Sequence, residues 1–208
     1  MTKEDFLFLI GDDPLMQDDA AFVDSFLYKE TSGGITLALW DLTLSNVDVV
    51  GGLVANIQGG ATRDSSGLHI SGKLHLADFP ISFERNRSYI ITVGNSTPSV
   101  DTRYITPLIY IPIGDNEVGG LRYNYNTWEF KYPDGVCDLI QSSTSFFLNC
   151  TIRIDVDNTG FVRIYKDDEL VGEADHIAES GYSPITIGGK NGHSYYPVTI
   201  TRFEVKSL

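Results

Sequence analysis

Paired turn residues recur along this chain between short apolar runs, and no run keeps a helical period. Ser32-Gly33-Gly34, Gly51-Gly52, Gly59-Gly60, Asn95-Ser96-Thr97-Pro98 and Asp115-Asn116 each supply a positive φ or an Asx-type hydrogen bond. Between them lie Ile35 to Asp41, Leu68 to Ile70, Lys73 to Leu76, Ser88 to Val93 and Ile105 to Ile113, which read as strands. Eleven Tyr and eleven Phe suit a pleated surface, so the expected fold class is all-β. A length of 208 residues with 42% hydrophobic content supports one sizeable core, and no composition shift marks a second folded domain. The spacing suits a sandwich.

The first thirty residues differ. Phe6 to Ile10 is apolar, Gly11-Asp12-Asp13-Pro14 is a turn, and Gln17 to Asp24 is acidic. Residues 1–33 therefore read as an N-terminal arm or assembly segment, able to add a strand to a neighbour's sheet edge, with the main domain at 34–208. The alternative is a first strand that returns beside the last one.

Charge narrows the partners. Lys plus Arg number 15 against 28 Asp plus Glu, a net −13, so the surface repels phosphate backbones and anionic membranes. No nucleic acid is expected. No apolar run reaches the roughly 20 residues that span a bilayer, and Met1-Thr2-Lys3-Glu4-Asp5 does not open a signal peptide, so the expectation is no membrane insertion and synthesis in a cytoplasm.

The C-terminal part gives the clearest order of elements. Phe147 to Val156 alternates, Asp157-Asn158-Thr159-Gly160 turns, and Phe161 to Tyr165 returns as a hairpin. Lys166-Asp167-Asp168-Glu169 turns again into Leu170-Val171-Gly172. Ile185-Thr186-Ile187-Gly188-Gly189 follows, and the closing strand Tyr196 to Val205 shifts its apolar register between Ile200 and Phe203, which predicts a bulge near Thr201 or Arg202.

This order resembles the concanavalin A-like lectin/glucanase superfamily in its laminin G-like form. The match runs from Phe147 to Leu208 and, less specifically, from Leu39 to Ile113, where Gly67-Leu68-His69-Ile70-Ser71-Gly72-Lys73-Leu74-His75-Leu76 is similar to the family's early strand pair. The resemblance implies a jelly-roll sandwich of two antiparallel sheets. An acidic protein with an extra arm is also similar in character to bacteriophage tail or decoration proteins, which implies a virion surface, virion proteins as partners and a homo-oligomer.

Fold leaves function open, so the candidate chemistry is read residue by residue. Glucanases of this superfamily carry acids at alternate positions of one strand, about 5 Å apart. Here Arg153-Ile154-Asp155-Val156-Asp157 lacks a glutamate, and Glu129 stands without a second acid nearby in sequence. No enzymatic activity is expected. Tyr123, Tyr125, Asn126 and Trp128 alternate aromatic rings with amides, a pattern that offers stacking to a sugar face and hydrogen bonds to its hydroxyls. The competing reading packs Trp128 between the sheets; Trp40, in an apolar run, reads as core. Asp115, Asn116 and Glu117 are an oxygen-rich cluster at a position where laminin G-like modules hold calcium, while the same composition also makes a plain hairpin turn. No other cofactor is expected. His69 and His75 could face one another across a hairpin turned at Ser71-Gly72, without a visible third metal ligand.

Cys137 and Cys150 flank Ser142 to Ser145 symmetrically, so a simple hairpin would set them opposite, with Cα atoms about 4.5–5.5 Å apart. A cytoplasmic origin favours free thiols. The leading expectation is a non-enzymatic module that binds glycans or a host-surface receptor from a virion. The rival expectation is a structural decoration or assembly protein that contacts only proteins, for which an exposed apolar patch would be the sign.

Overall fold

The computed structural model describes residues 34–72, 74–94, 106–113, 117–124, 127–132, 135–139, 147, 149–174, 184–189 and 197–208. The described residues after Gly34 belong to the unit Ile35–Leu208. Residues 1–33, and with them the proposed arm, lie outside the described residues, as do Asp115, Asn116, Tyr125 and Asn126.

The fold is all-β. In chain order the strands are β1 (Thr36–Asp41), β2 (Asn56–Gln58), β3 (Thr62–Asp64), β4 (Gly67–Ile70), β5 (Leu76–Phe79), β6 (Arg87–Val93), β7 (Thr106–Pro107) and β8 (Ile109–Ile113). They continue with β9 (Glu117–Asn124), β10 (Thr127–Tyr132), β11 (Gly135–Leu139), β12 (Cys150–Val156), β13 (Val162–Lys166), β14 (Glu169–Ala174), β15 (Ile185–Gly188) and β16 (Val198–Ser207). Two antiparallel sheets result. Sheet one runs β14-β13-β12-β6-β16-β4-β3, with β1 also on β16; sheet two runs β11-β10-β9-β8-β15-β5-β2, with β7 also on β9.

Strand β16 organises sheet one. One of its edges pairs with β6, while the other is shared end to end by β4, at Val198 to Ile200, and β1, at Arg202 to Lys206. The register shifts between Ile200 and Arg202, the bulge that the apolar pattern anticipated. Its effect is visible at once: the freed Thr201 carbonyl accepts the Leu42 amide at 2.9 Å.

Alternation separates the faces of each strand. In β12, Cys150, Ile152, Ile154 and Val156 are buried while Thr151, Arg153 and Asp155 are only partly so. The sheets meet through aromatic rings. Trp40 and Phe203, register partners in sheet one, stack at 5.7 Å, and Phe79 of sheet two meets both edge-on at 5.0 and 4.6 Å. Phe83 stacks on Tyr89 at 5.0 Å, and the Tyr89 hydroxyl accepts the Glu84 amide and donates to the Ser82 carbonyl. Such rings contribute beyond their buried area.

The hairpin at Asp157-Asn158-Thr159-Gly160 forms as read. Asp157 Oδ1 accepts from the Thr159 amide, the Thr159 hydroxyl and the Phe161 amide, which pulls its pKa down; Gly160 supplies a φ of 92°. The next turn needs positive φ at two consecutive residues, and Asp167 (48°) and Asp168 (68°) provide it without glycine.

Two sequence expectations fail on topology. Cys137 and Cys150 are not hairpin partners: Cys137 lies in β11 opposite Phe130 of sheet two, and Cys150 lies in β12 opposite Val93 of sheet one. Cys150 is a buried free thiol, and burial pushes its pKa up to about 12. Likewise β4 and β5 are not a strand pair, because β4 joins sheet one and β5 joins sheet two. His69 and His75 therefore do not face each other across a hairpin. Leu74 takes a φ of 67° in the crossing segment, and the strand expected over Lys73 to Leu76 begins only at Leu76.

Candidate functional site

The outward face of sheet two carries a polar row contributed by strands far apart in sequence. Ala77 and Phe79 point into the core, so Asp78 between them points out; Thr186 does the same between Ile185 and Ile187. Register pairs Thr186 with Asp78 across β15 and β5, and Asp78 with Asn56 across β5 and β2. On the other side of β15, Thr186 is the register partner of Tyr110 in β8. One line thus crosses four strands.

Hydrogen bonds hold this row. The Thr186 hydroxyl donates to Asp78 Oδ1, and Gln58 Nε2 donates to Asp78 Oδ2 at 2.7 Å. Thr186 is fully buried, Asp78 is half-buried, and Asn56 and Gln58 are exposed, so the row grades from a covered end to an open one. Both donors to Asp78 are neutral, and among the described residues no cation pairs with its carboxylate.

A second polar group sits on the same face. Arg122 and Glu129 are register partners on β9 and β10, and Arg122 Nε donates to Glu129 Oε1 in an ion pair that is 7% and 6% exposed at its two residues. Register also sets Asp138 of β11 opposite Glu129. Arg122 lies opposite Pro107 and Thr186 opposite Tyr110, three residues further along that edge, roughly 10 Å at about 3.3 Å per residue.

Of the residues singled out from sequence, Trp128 is corrected outright. It is 0% exposed and meets Phe147 edge-on at 4.8 Å, so its ring belongs to the core and is not offered to a ligand. The alternation of aromatics and amides is produced by a hairpin, β9 to β10, in which Tyr123 is the register partner of Trp128. Tyr125 and Asn126 lie outside the described residues. Trp40 is core, as expected, with its indole N–H donating to the Leu53 carbonyl at 3.1 Å. Ile113 pairs with Glu117 across the β8–β9 connection that contains Asp115 and Asn116, which themselves lie outside the described residues. Among the described residues no group of three His, Cys, Asp or Glu side chains is placed to hold a metal.

The outward face of sheet one is also polar, but its charges are matched. Arg153 reaches Asp168 at 2.8 Å and Asp155 at 3.3 Å and lies 4.0 Å over the Tyr165 ring. Arg163 pairs with Glu173 at 3.3 Å and Asp157 at 3.6 Å. Glu204, 2% exposed, accepts from Arg202 and Thr36 at 2.9 Å and lies 3.7 Å from the Lys206 ammonium. At the far side of this sheet, Asp64, Ser66 and His69 gather, yet they form no relay. Asp64 Oδ1 and Ser66 Oγ both approach His69 Nε2, at 3.0 and 3.2 Å, while Nδ1 meets Thr199 Oγ1 at 3.1 Å, so no acid orients the ring from behind a nucleophile. The hydrogen bonds from His69 and Ser66 hold the Asp64 carboxyl well below the usual carboxylate range.

One loop breaks the polar pattern. Between β1 and β2, Leu44, Val47, Val49, Val50, Leu53 and Val54 all expose more than a third of their surface. Asp48, buried beneath them, accepts the Leu39 and Val50 amides on Oδ1 and the Gly51 amide on Oδ2. Every amide from Val47 to Gly52 has a hydrogen-bond acceptor within the fold.

No family profile matches the sequence, and no curated protein matches it. Similar solved structures exist. Trypanosoma rangeli sialidase superposes with a TM-score of 0.62 at 16% identity, over 83% of this chain and 31% of that one. The botulinum neurotoxin serotype D ligand binding domain, in complex with N-acetylneuraminic acid, gives 0.53 at 13%, over 83% and 47%. Domain 4 of AbnA, a GH43 extracellular arabinanase from Geobacillus stearothermophilus, in complex with arabinotriose, gives 0.55 at 11%, over 85% and 94%. This chain spans less than half of the first two and nearly all of the third. At these identities the likeness establishes a shared β-sandwich fold. None of the three is a virion protein, so the resemblance to bacteriophage proteins gains no support from them.

Proposed function

We propose that this chain is a non-enzymatic glycan-recognition module whose ligand lies along the outward row of sheet two. The observation that carries the reading is the Thr186–Asp78–Asn56 alignment with Gln58 bonded to the same carboxylate. Sugar hydroxyls donate and accept at once; a carboxylate accepts, and side-chain amides do both, so the row matches a polyol. Two proteins of the same fold, the arabinanase domain and the toxin domain, were solved with sugars bound, which supports the class of ligand. A shallow row of this kind binds weakly, and display of several copies on one surface, such as a virion, would raise avidity. A biotinylated chain, tetramerised on streptavidin, should bind a discrete set of oligosaccharides on an array, and the Asp78→Ala chain should bind none. Silence of the wild-type tetramer across the array would end this reading.

A second reading, contact with a protein partner only, is favoured by the apolar loop Leu44 to Val54. In that case Val50→Asp with Leu53→Asp should abolish association measured by light scattering or with the identified partner, while Asp78→Ala should leave it intact. The reverse pattern would refute it.

A further inference from the structure

We propose, resting on the glycan reading above, that the ligand is a neutral glycan gripped through adjacent hydroxyls and that carboxylated or sulfated glycans are rejected. The reason is the state of charge on this face. Asp78 receives its hydrogen bonds from a hydroxyl and an amide, both neutral, so no partner among the described residues cancels its negative charge. An ionised carboxylate has about four lone-pair sites. Thr186 and Gln58 take two of them, which leaves acceptors on both oxygens for the two hydroxyl protons of a vicinal diol.

Recognition of an anionic sugar needs the opposite equipment: an arginine or lysine with its charge to spare. The described cations of this face are already engaged. Arg122 is buried against Glu129, and Lys131 has an interaction of its own. An anion entering the row would meet Asp78 at short range within a protein of net charge −13, and both terms repel it.

The test uses the full chain, tetramerised on streptavidin, against matched oligosaccharide pairs that differ only by a terminal sialic acid or a sulfate. The neutral member should bind at least about tenfold more strongly, with little change between about 50 and 300 mM salt, because no ion pair is formed. Asp78→Asn, checked by circular dichroism for native fold, should lose neutral binding at least about tenfold, since the amide nitrogen cannot accept. Preference for the sialylated or sulfated member, weakening with salt, would overturn this inference and leave glycan recognition standing. Undiminished neutral binding by Asp78→Asn would overturn the role of Asp78. Absence of binding to either member of every pair would overturn both the inference and the reading beneath it.

Discussion

The two outward faces of the sandwich are both polar, yet they use charge differently. On the outward face of sheet one Arg153, Arg163 and Arg202 each pair with carboxylates, and the buried Glu204 also takes Lys206 and Thr36. On sheet two, Arg122 and Glu129 cancel one another, but among the described residues Asp78 is braced by neutral donors alone. A matched lattice holds the fold together and offers little to a ligand. A braced, uncompensated carboxylate adds little to stability and retains acceptors for something else. Polarity alone does not mark a site; the marker is whether the polar groups have satisfied one another.

The largest effect should come from Trp128→Ala, which empties part of the core behind sheet two and should cost about 4 kcal/mol in a urea titration. A native stability with lost glycan binding would instead return Trp128 to the ligand side. Next comes Glu204→Ala, which removes the buried carboxylate shared by the partly buried Arg202 and the buried Lys206 and should cost about 3 kcal/mol while glycan binding persists in the folded fraction. By contrast, Asp78→Asn should change stability by less than about 1 kcal/mol. Equal losses for Glu204→Ala and Asp78→Asn would erase the distinction between the faces.

The smallest effect concerns pH. The Cys150 thiol is raised from 9.0 to about 12 by burial, so the folded chain keeps its proton where the unfolded chain loses it. This contribution is complete below about pH 9 and is lost as pH climbs toward about 12. Melting temperature should therefore fall less steeply above pH 9 in Cys150→Val than in the natural chain. Identical slopes would show that the thiol does not contribute.

Much of the scaffold was legible in the residues themselves. Alternation in Cys150 to Val156, the Asp157 turn and the displaced apolar register around Thr201 are local signals, and local geometry obeys them. What lies between sheets was not. Cys137 and Cys150 looked like hairpin partners because spacing along the chain is symmetric whether the chain turns back or crosses over. Trp128 misled for a related reason: alternate aromatics look the same whichever face they occupy, and only packing against Phe147 decides it. The row on sheet two had no signal at all in sequence. Asn56, Asp78 and Thr186 are ordinary polar residues on separate strands, and sheet order alone aligns them.

The buried Asp48 beneath the aliphatic loop has a consequence for how that loop behaves in time. An exposed loop normally exchanges its amide hydrogens with solvent quickly, but here the six from Val47 to Gly52 are all tied down, two of them to the Asp48 carboxylate. The loop should therefore exchange like a strand, although its side chains face water. Its conformational entropy is already spent during folding, so a partner that covers those valines would bind a preformed knuckle and would owe little for ordering it.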